Sequence, residues 1–413
     1  MITALSLHHF KSVEDVDVSF DPVTVFVGNN GSGKSNIVDS LRFLKDAATQ
    51  GLDRAFTDRH GIESVRQWSP TRPYRMQIEI SLRNGEFWGT YRLAIETVKG
   101  GYKVSNEHIE IREFARDWKA SLNDGNPATF PIARRQTVNR DGDGKIYERT
   151  WQAPRLGATP FLPDSRFFDA LPPVGEVNIL SVRADELVLT HPFASSPHGL
   201  FRNLSNFQAY SIYPNTLRLP QEPSNERFLL QDGRNLTSIL KAMRRTTRGV
   251  EAIDQITTAL KAILPSLETI SILSVGGYLV PQFHIKEASG KTHKFNVAQM
   301  SDGTLRVLGL LTALYQQPKP GIIVLEEPEQ TVNPAIMEVL ADSIKEVSQT
   351  SQVIVTTHSP HLLDQFDPKQ IRAVDMVDGH TQVSPVGPMQ MGVVHDRLFS
   401  LGELLVSEGL HGG

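Results

Sequence analysis

Val23-Thr24-Val25-Phe26-Val27 is an apolar, β-branched run that stops at a glycine, and Gly28-Asn29-Asn30-Gly31-Ser32-Gly33-Lys34-Ser35 follows it. A segment with helical spacing opens at Lys34-Ser35. This is the strand–loop–helix setting in which a G-x-x-x-x-G-K-[ST] sequence cradles polyphosphate. Backbone N–H groups must reach the phosphates at close range, so the loop side chains must be small, and the glycines let the amides turn inward. The following helix presents its positive end to the same phosphates. Lys34 then reaches the outer phosphates as a point charge, and Ser35 offers its hydroxyl to Mg²⁺.

A second segment completes such a site. Ile322-Ile323-Val324-Leu325 is apolar without alternation and ends in Glu326-Glu327-Pro328. That pattern suits a parallel strand covered on both faces, and acids at its carboxyl end sit where ligands bind in open α/β sheets. Glu326 is expected to hold Mg²⁺ and Glu327 to orient the attacking water. Val353-Ile354-Val355-Thr356-Thr357-His358-Ser359-Pro360 reads as the next buried strand, across a helix from Pro334 to Glu346. A βαβ unit brings both strand ends to one sheet edge, where His358 could donate a hydrogen bond to the γ-phosphate, although a lone His at a strand end is more often structural. Gln299-Met300-Ser301-Asp302-Gly303-Thr304 precedes an apolar helix from Val307 to Tyr315, with Ser301 as N-cap. Such a helix start is either an anion site or a simple cap.

The rest of the chain frames these segments. With 413 residues, two subdomains are the default. Ile2 to Phe10 reads as a strand with Leu5, Leu7 and His9 facing inward, and Val16, Val18 and Phe20 alternate again. The phosphate-loop helix is expected to end near Gly51. Met76 to Ile111 reads as antiparallel strands with reversals at Asn84-Gly85 and Gly100-Gly101. Residues 114–164 read as a long polar loop with at most one hairpin. Asn139-Arg140-Asp141-Gly142-Asp143-Gly144 has the start of a calcium loop, but Thr150 stands where a bidentate Glu is needed, so it reads as a turn. Ser289-Gly290-Lys291-Thr292 also reads as a turn. Helices are expected after Asn235 and through Ile253, Ile256, Leu260 and Ile263, then strands from Ile270 to Val275 and Leu279 to Ile285.

Apolar content of 39% and charged content of 21% fit a globular protein, and no segment has the length to span a bilayer. There is no cysteine, which removes disulfides and thiolate metal sites and fits a cytoplasmic setting. The net charge of -4 restricts any nucleic-acid contact to a local patch. Lys241, Arg244, Arg245 and Arg248 fall at helical spacing on one face and form a weak candidate for such a patch.

The order of these segments resembles the ABC-type ATPase heads of the RecF, SMC and overcoming-lysogenization-defect (OLD-like) group. Phe10-Lys11-Ser12 is similar to the family's opening strand, Gly28 to Asn36 to its Walker A phosphate loop and Met300 to Gly303 to its signature. Glu326-Glu327-Pro328-Glu329 resembles the Walker B of the compact subgroup, Thr356 to Pro360 the switch histidine, and Ser400-Leu401-Gly402-Glu403-Leu404 the usual tail. The resemblance implies an α/β fold, a mixed sheet with a P-loop core plus an antiparallel β subdomain, and a mainly helical insertion. It divides the chain into head residues 1–160, a lid at 161–265, and the rest of the head at 266–413.

It further implies Glu327 and His358 as catalytic residues. Lys11, Asn29, Asn30, Gly31, Ser32, Gly33, Lys34, Ser35 and Asn36 would hold the nucleotide, and Ser35 and Glu326 the Mg²⁺. Ser301, Asp302 and Gly303 would act in trans on the ATP of a second copy, in a homo-oligomer built by an ATP sandwich. Gln67 is a weak candidate for the Q-loop. Glu326 stands where many relatives carry Asp, and Asp302 where a small residue is common. Long heptads and hook cysteines are missing, which points to the armless branch often found in anti-phage defence. In that branch the head is often paired with a nuclease, and the residues after Ser400 are too few for a fused one. The expectation is an ATPase that controls a separate effector, a nuclease or toxin, in anti-phage defence or DNA repair, with a DNA contact and no membrane. The alternatives are an ATP-dependent scaffold or sensor with negligible turnover, and a transporter-type ABC subunit.

Overall fold

A computed structural model describes residues 1–67, 75–84, 87–114, 132–152, 155–156, 159–160, 175–179, 185–190 and 204–410. These form two interleaved compact units. The first holds residues 1–20, 39–205 and 376–382, and the second holds 21–38, 206–375 and 383–413. The units cut across the sequence-based division at 160 and 265: the described helices of 206–265 share the core of the second unit.

The first unit is built on an antiparallel sheet. Its strands are β1 (Ile2–Phe10), β2 (Val13–Ser19), β4 (Met76–Asn84), β5 (Phe87–Val98), β6 (Gly101–Phe114), β7 (Ile132–Arg140), β8 (Ile146–Gln152) and β11 (Gly175–Ile179). The order across the sheet is β11-β8-β7-β6-β5-β4-β1-β2. Register explains its core. Ile80, Leu5 and Val18 lie side by side, as do Ile78, Leu7 and Val16, and all six are buried. His9 departs from the expected alternation. It and Lys11 take left-handed φ values of 54° and 50°, so the strand end is irregular and Phe10 fills the inward position instead. Phe10 packs on Phe43, and Phe43 on Phe56.

The polar stretch expected as a long loop with at most one hairpin supplies the hairpin β7–β8. Asp141 makes their turn, its side chain accepting from the N–H groups of Asp143 and Lys145. That is a hairpin turn, as the sequence reading has it. The stretch also contains the short pair β9 (Arg155–Leu156) and β10 (Thr159–Pro160). Gly85 of the expected Asn84-Gly85 turn and residues 115–131 lie outside the described residues.

The second unit is a parallel α/β layer. Strands β12 (Phe207–Tyr210), β16 (Ile322–Glu326), β17 (Gln352–Thr357), β3 (Val23–Val27) and β18 (Ile371–Val377, of which residues up to 375 belong to this unit) lie in that order. Every residue of β3 and β17 is buried, the outcome expected for strands covered on both faces. The helix Asp302–Tyr315 is buried from Thr304 to Tyr315. Such an all-round apolar helix belongs inside a core, and this one shares its core with helices Leu236–Met243, Thr247–Lys261 and Met337–Ser348. A smaller antiparallel sheet, β13 (Leu267–Val275), β14 (Tyr278–Lys286) and β15 (Thr292–Asn296), belongs to the same unit. Ser289-Gly290-Lys291-Thr292 is the β14–β15 turn, with Gly290 at φ 86°.

Candidate active site

Parallel register places the site. Val27 at the end of β3 pairs with Thr357 of β17, and Thr356 pairs with Glu326 of β16. The phosphate loop, the paired acids and His358 therefore all leave the sheet at the same edge, as expected for a ligand crevice at the carboxyl ends of strands.

The loop is shaped by its glycines. Gly31 and Gly33 have φ values of 83° and 104°, conformations that other residues take only at a cost. A Cβ on Gly28 would lie 2.0 Å from the Val374 carbonyl oxygen, so this position admits only hydrogen. Ser32 N–H donates to Asn29 O (3.2 Å) and Asn36 N–H to Gly33 O (2.9 Å), which closes the loop onto the helix Lys34–Gln50. Lys34 is 5% exposed. Its Nζ donates to the carbonyls of Gly28 (2.7 Å) and Asn29 (3.0 Å) and lies 3.8 Å from Glu327 Oε1. Burial lowers the Lys34 pKa, and Glu327 and Glu329 oppose that fall.

Glu327 follows β16 in a left-handed conformation, φ 47°. Its N–H donates to Thr356 O at 2.9 Å, and its Oε2 is hydrogen-bonded to His358 Nδ1. Burial raises its pKa, as does the charge of Glu329, while His358 and Lys34 pull the other way. A carboxylate moved upward in this way is a better proton acceptor near neutral pH than an ordinary one. Glu329 is the member that the sequence reading left out of the site. It is buried, and its Oε1 accepts from Thr357 Oγ1–H (2.6 Å) and His358 N–H (3.0 Å). It thus ties the end of β17 to the loop after β16. The third acid of Glu326-Glu327-Pro328-Glu329 was the available signal.

Arg306 and Arg218 were also missed. Arg306 is 1% exposed, and its Nη2 donates to the Glu327 carbonyl at 2.7 Å. Arg218 donates to Asp302 Oδ1 (2.6 Å) and to Met300 O (2.8 Å). That pairing gives Asp302 a partner at a position where a small residue was the expectation. Ser301 caps the helix, accepting from Thr304 N–H at 3.2 Å.

Lys11, Gln67 and the basic patch complete the placement. Lys11 lies in the first unit and pairs with Asp39 at 2.7 Å. Gln67 lies there too, 7% exposed, with its amide hydrogen-bonded to His380 Nδ1 at 2.8 Å. The basic patch is corrected: Lys241, Arg244, Arg245 and Arg248 do not share one helix face. One helix ends at Met243 and the next starts at Thr247, with a turn so tight that a Cβ on Gly249 would meet the Met243 carbonyl at 2.0 Å. Arg244 also donates to the Ile270 carbonyl.

Ser35 and Glu326 offer only oxygen, the choice of a hard divalent cation such as Mg²⁺, and Lys34 with the turned loop amides could cradle phosphate.

Fold and site define the class, an ATPase head of the RecF/SMC-like ABC type. Residues 117–364, more than half of the chain, match the family described as "AAA domain, putative AbiEii toxin, Type IV TA system", and the chain belongs to that family. A second AAA-domain family matches residues 4–155. Among similar proteins is a "Retron Ec83 probable ATPase" of Escherichia coli, 19% identical over 90% of this chain and 70% of its own. RecF, the DNA replication and repair protein of Streptomyces avermitilis, is 47% identical over 14% of this chain and 15% of its own. Among solved structures, the SMC head bound to the C-winged helix domain of ScpA has a TM-score of 0.49 and 17% identity, covering 94% of this chain and 98% of that one. The chain is an ATPase, and among the described residues no helix is long and apolar enough to cross a membrane.

Proposed function

We propose that this ATPase dimerises head-to-head on ATP and uses the closed state to control a separate effector protein, a nuclease or toxin. The observation that carries the proposal is the convergence of Lys34, Glu327 and His358 at one sheet edge. Lys34 would take the outer phosphates, and the Asn29–Asn36 loop would supply amides to the rest. Mg²⁺, held by Ser35 and Glu326, would neutralise phosphate charge during hydrolysis. Glu327 would orient the attacking water and accept its proton, yielding ADP and phosphate from ATP and water. His358, hydrogen-bonded to that carboxylate, would hold its direction and face the γ-phosphate.

The trans role is given to Ser301 and Gly303 at the start of Asp302–Tyr315. Asp302 is turned to Arg218, and the Ser301 hydroxyl, bonded within one chain to Thr304 N–H and Oγ1, would add a bond to phosphate on a second copy. Retron-named ATPases among the relatives support a defence setting, and RecF and Rad50 relatives, named for DNA repair, support a DNA-linked one. The cytoplasm, where ATP is available, is the compartment we propose.

A native mass measurement of Glu327→Gln tests the assembly. With ATP the particle should hold two copies, and adding Ser301→Ala should return it to one. A single copy under saturating ATP contradicts the sandwich.

A further inference from the structure

We infer that Arg306 is a positioning residue that locks Glu327 in its working conformation and relays the engagement of the helix Asp302–Tyr315 to it. The first part stands on the geometry of one chain. The second rests on the head-to-head reading above.

Glu327 is not glycine, yet it adopts φ 47°. A residue keeps such a conformation only where its surroundings over-determine it. Here both flanking peptide groups are held. The N–H of Glu327 is pinned to Thr356 O of β17 at 2.9 Å, and its C=O is pinned by Arg306 Nη2 at 2.7 Å. Those two bonds fix the backbone from which the carboxylate reaches His358 and Lys34. Removing the second bond frees one side of the residue and lets it relax out of the left-handed region.

Arg306 lies within the helix whose N-cap is Ser301. At a rise of about 1.5 Å per residue, its Cα stands roughly 7–8 Å along the axis from that cap. The same helix touches the loop after β16 at a second place. Thr331, the other left-handed non-glycine residue of this loop at φ 61°, has its carbonyl oxygen 3.1 Å from where a Gly303 Cβ would be. The first turns of the helix thus brace the loop at both of its left-handed positions. Arg306 itself is buried, its guanidinium carbon lies 5.7 Å from the Tyr213 ring centroid, and its Nε has no hydrogen-bond partner among the described residues. Among the described residues its hydrogen bond is the one to the Glu327 carbonyl, and burying a cation for a single such bond is costly. If Ser301 meets a phosphate on the second copy, the helix end is fixed, and through Arg306 so is Glu327 of its own site. ATP engaged by one copy would then set the water-orienting acid that acts on the other ATP.

Steady-state ATP hydrolysis and unfolding of the chain carrying R306M, R306K, S301A or R306M/S301A test this. R306M keeps the volume and removes the donor. Its kcat should fall on the order of 10- to 100-fold with KM within about threefold, because misaimed catalytic groups lose turnover before binding. R306K, which retains a donor, should recover part of the loss. The double variant should lose no more than the more damaging of R306M and S301A, since both substitutions break one line of contact. A folded R306M with kcat within about twofold of the parent overturns the positioning role. Additive losses in the double variant overturn the relay alone. Failure of the dimer reading would show separately, as a single-copy mass for Glu327→Gln with ATP. If R306M does not fold, hydrogen exchange of the unsubstituted chain decides: ATP should protect 302–306 and 327–331 together, and protection of one without the other contradicts the relay.

Discussion

Lys34 Nζ and Glu327 Oε1 face each other at 3.8 Å, from strands β3 and β16 with β17 between them. The cation meant for phosphate and the acid meant for water therefore share one space. The ammonium also donates to the loop carbonyls of Gly28 and Asn29 at 2.7 and 3.0 Å.

Lys34→Ala removes that point charge. The expected loss in ATP affinity is at least about 2 kcal/mol, roughly 30-fold, the worth of a charge-assisted hydrogen bond. Calorimetric titration with ATP checks it, and unchanged affinity would place the phosphates elsewhere.

The two loop glycines should differ in kind. Gly28→Ala drives a methyl group into the Val374 backbone oxygen, and backbone cannot swing aside. A cost near the upper end of overpacking, about 3 kcal/mol, follows. Around Gly31 nothing lies within 4 Å, so Gly31→Ala bears only the left-handed φ, about 1 kcal/mol. Denaturant unfolding of both variants gives the order.

Much of this arrangement could be read from residues alone. Unbroken β-branched runs named β3, β16 and β17, and the ends of these runs meet at one sheet edge. Ser301 was visible as a cap because its hydroxyl stands just before an apolar helical stretch. What stayed hidden depends on contacts between distant segments. Glu329 looked like one more acid until Thr357 and the His358 N–H were seen to bond it. Arg306 sits in an apolar helix, where its partner is a carbonyl twenty-one residues away. β12 has only four residues and gives no periodic signal. Lys241 to Arg248 kept helical spacing across a break that only the close approach at Gly249 reveals.

Asp39 supplies a pH test in the first unit. Burial pushes its carboxyl up, but Arg59 and Lys11 outweigh that and hold it below its ordinary value of 3.8. A folded pKa below the unfolded one means the stabilisation is complete above the unfolded value and is lost as pH falls through the folded one. Asp39→Asn should therefore cost about 1–3 kcal/mol at neutral pH, with the gap from the parent closing below about pH 4. Urea unfolding at both pH values measures it.

Thr357→Val deletes the hydroxyl that donates to Glu329 Oε1 at 2.6 Å. A buried carboxylate left short of a donor costs about 1–3 kcal/mol. Turnover should fall as well, since Glu329 also holds the backbone of His358. A variant with parent stability and kcat would show that Glu329 does not hold the site.

The central claim is that Glu327 activates water beside a phosphate loop centred on Lys34. ATP hydrolysis by Glu327→Gln at saturating ATP and Mg²⁺, with ATP binding measured on the same sample, tests it most directly. Binding should persist while kcat drops on the order of 10²-fold or more, as expected for loss of a general base. A variant that hydrolyses ATP at the parent rate would contradict the assignment.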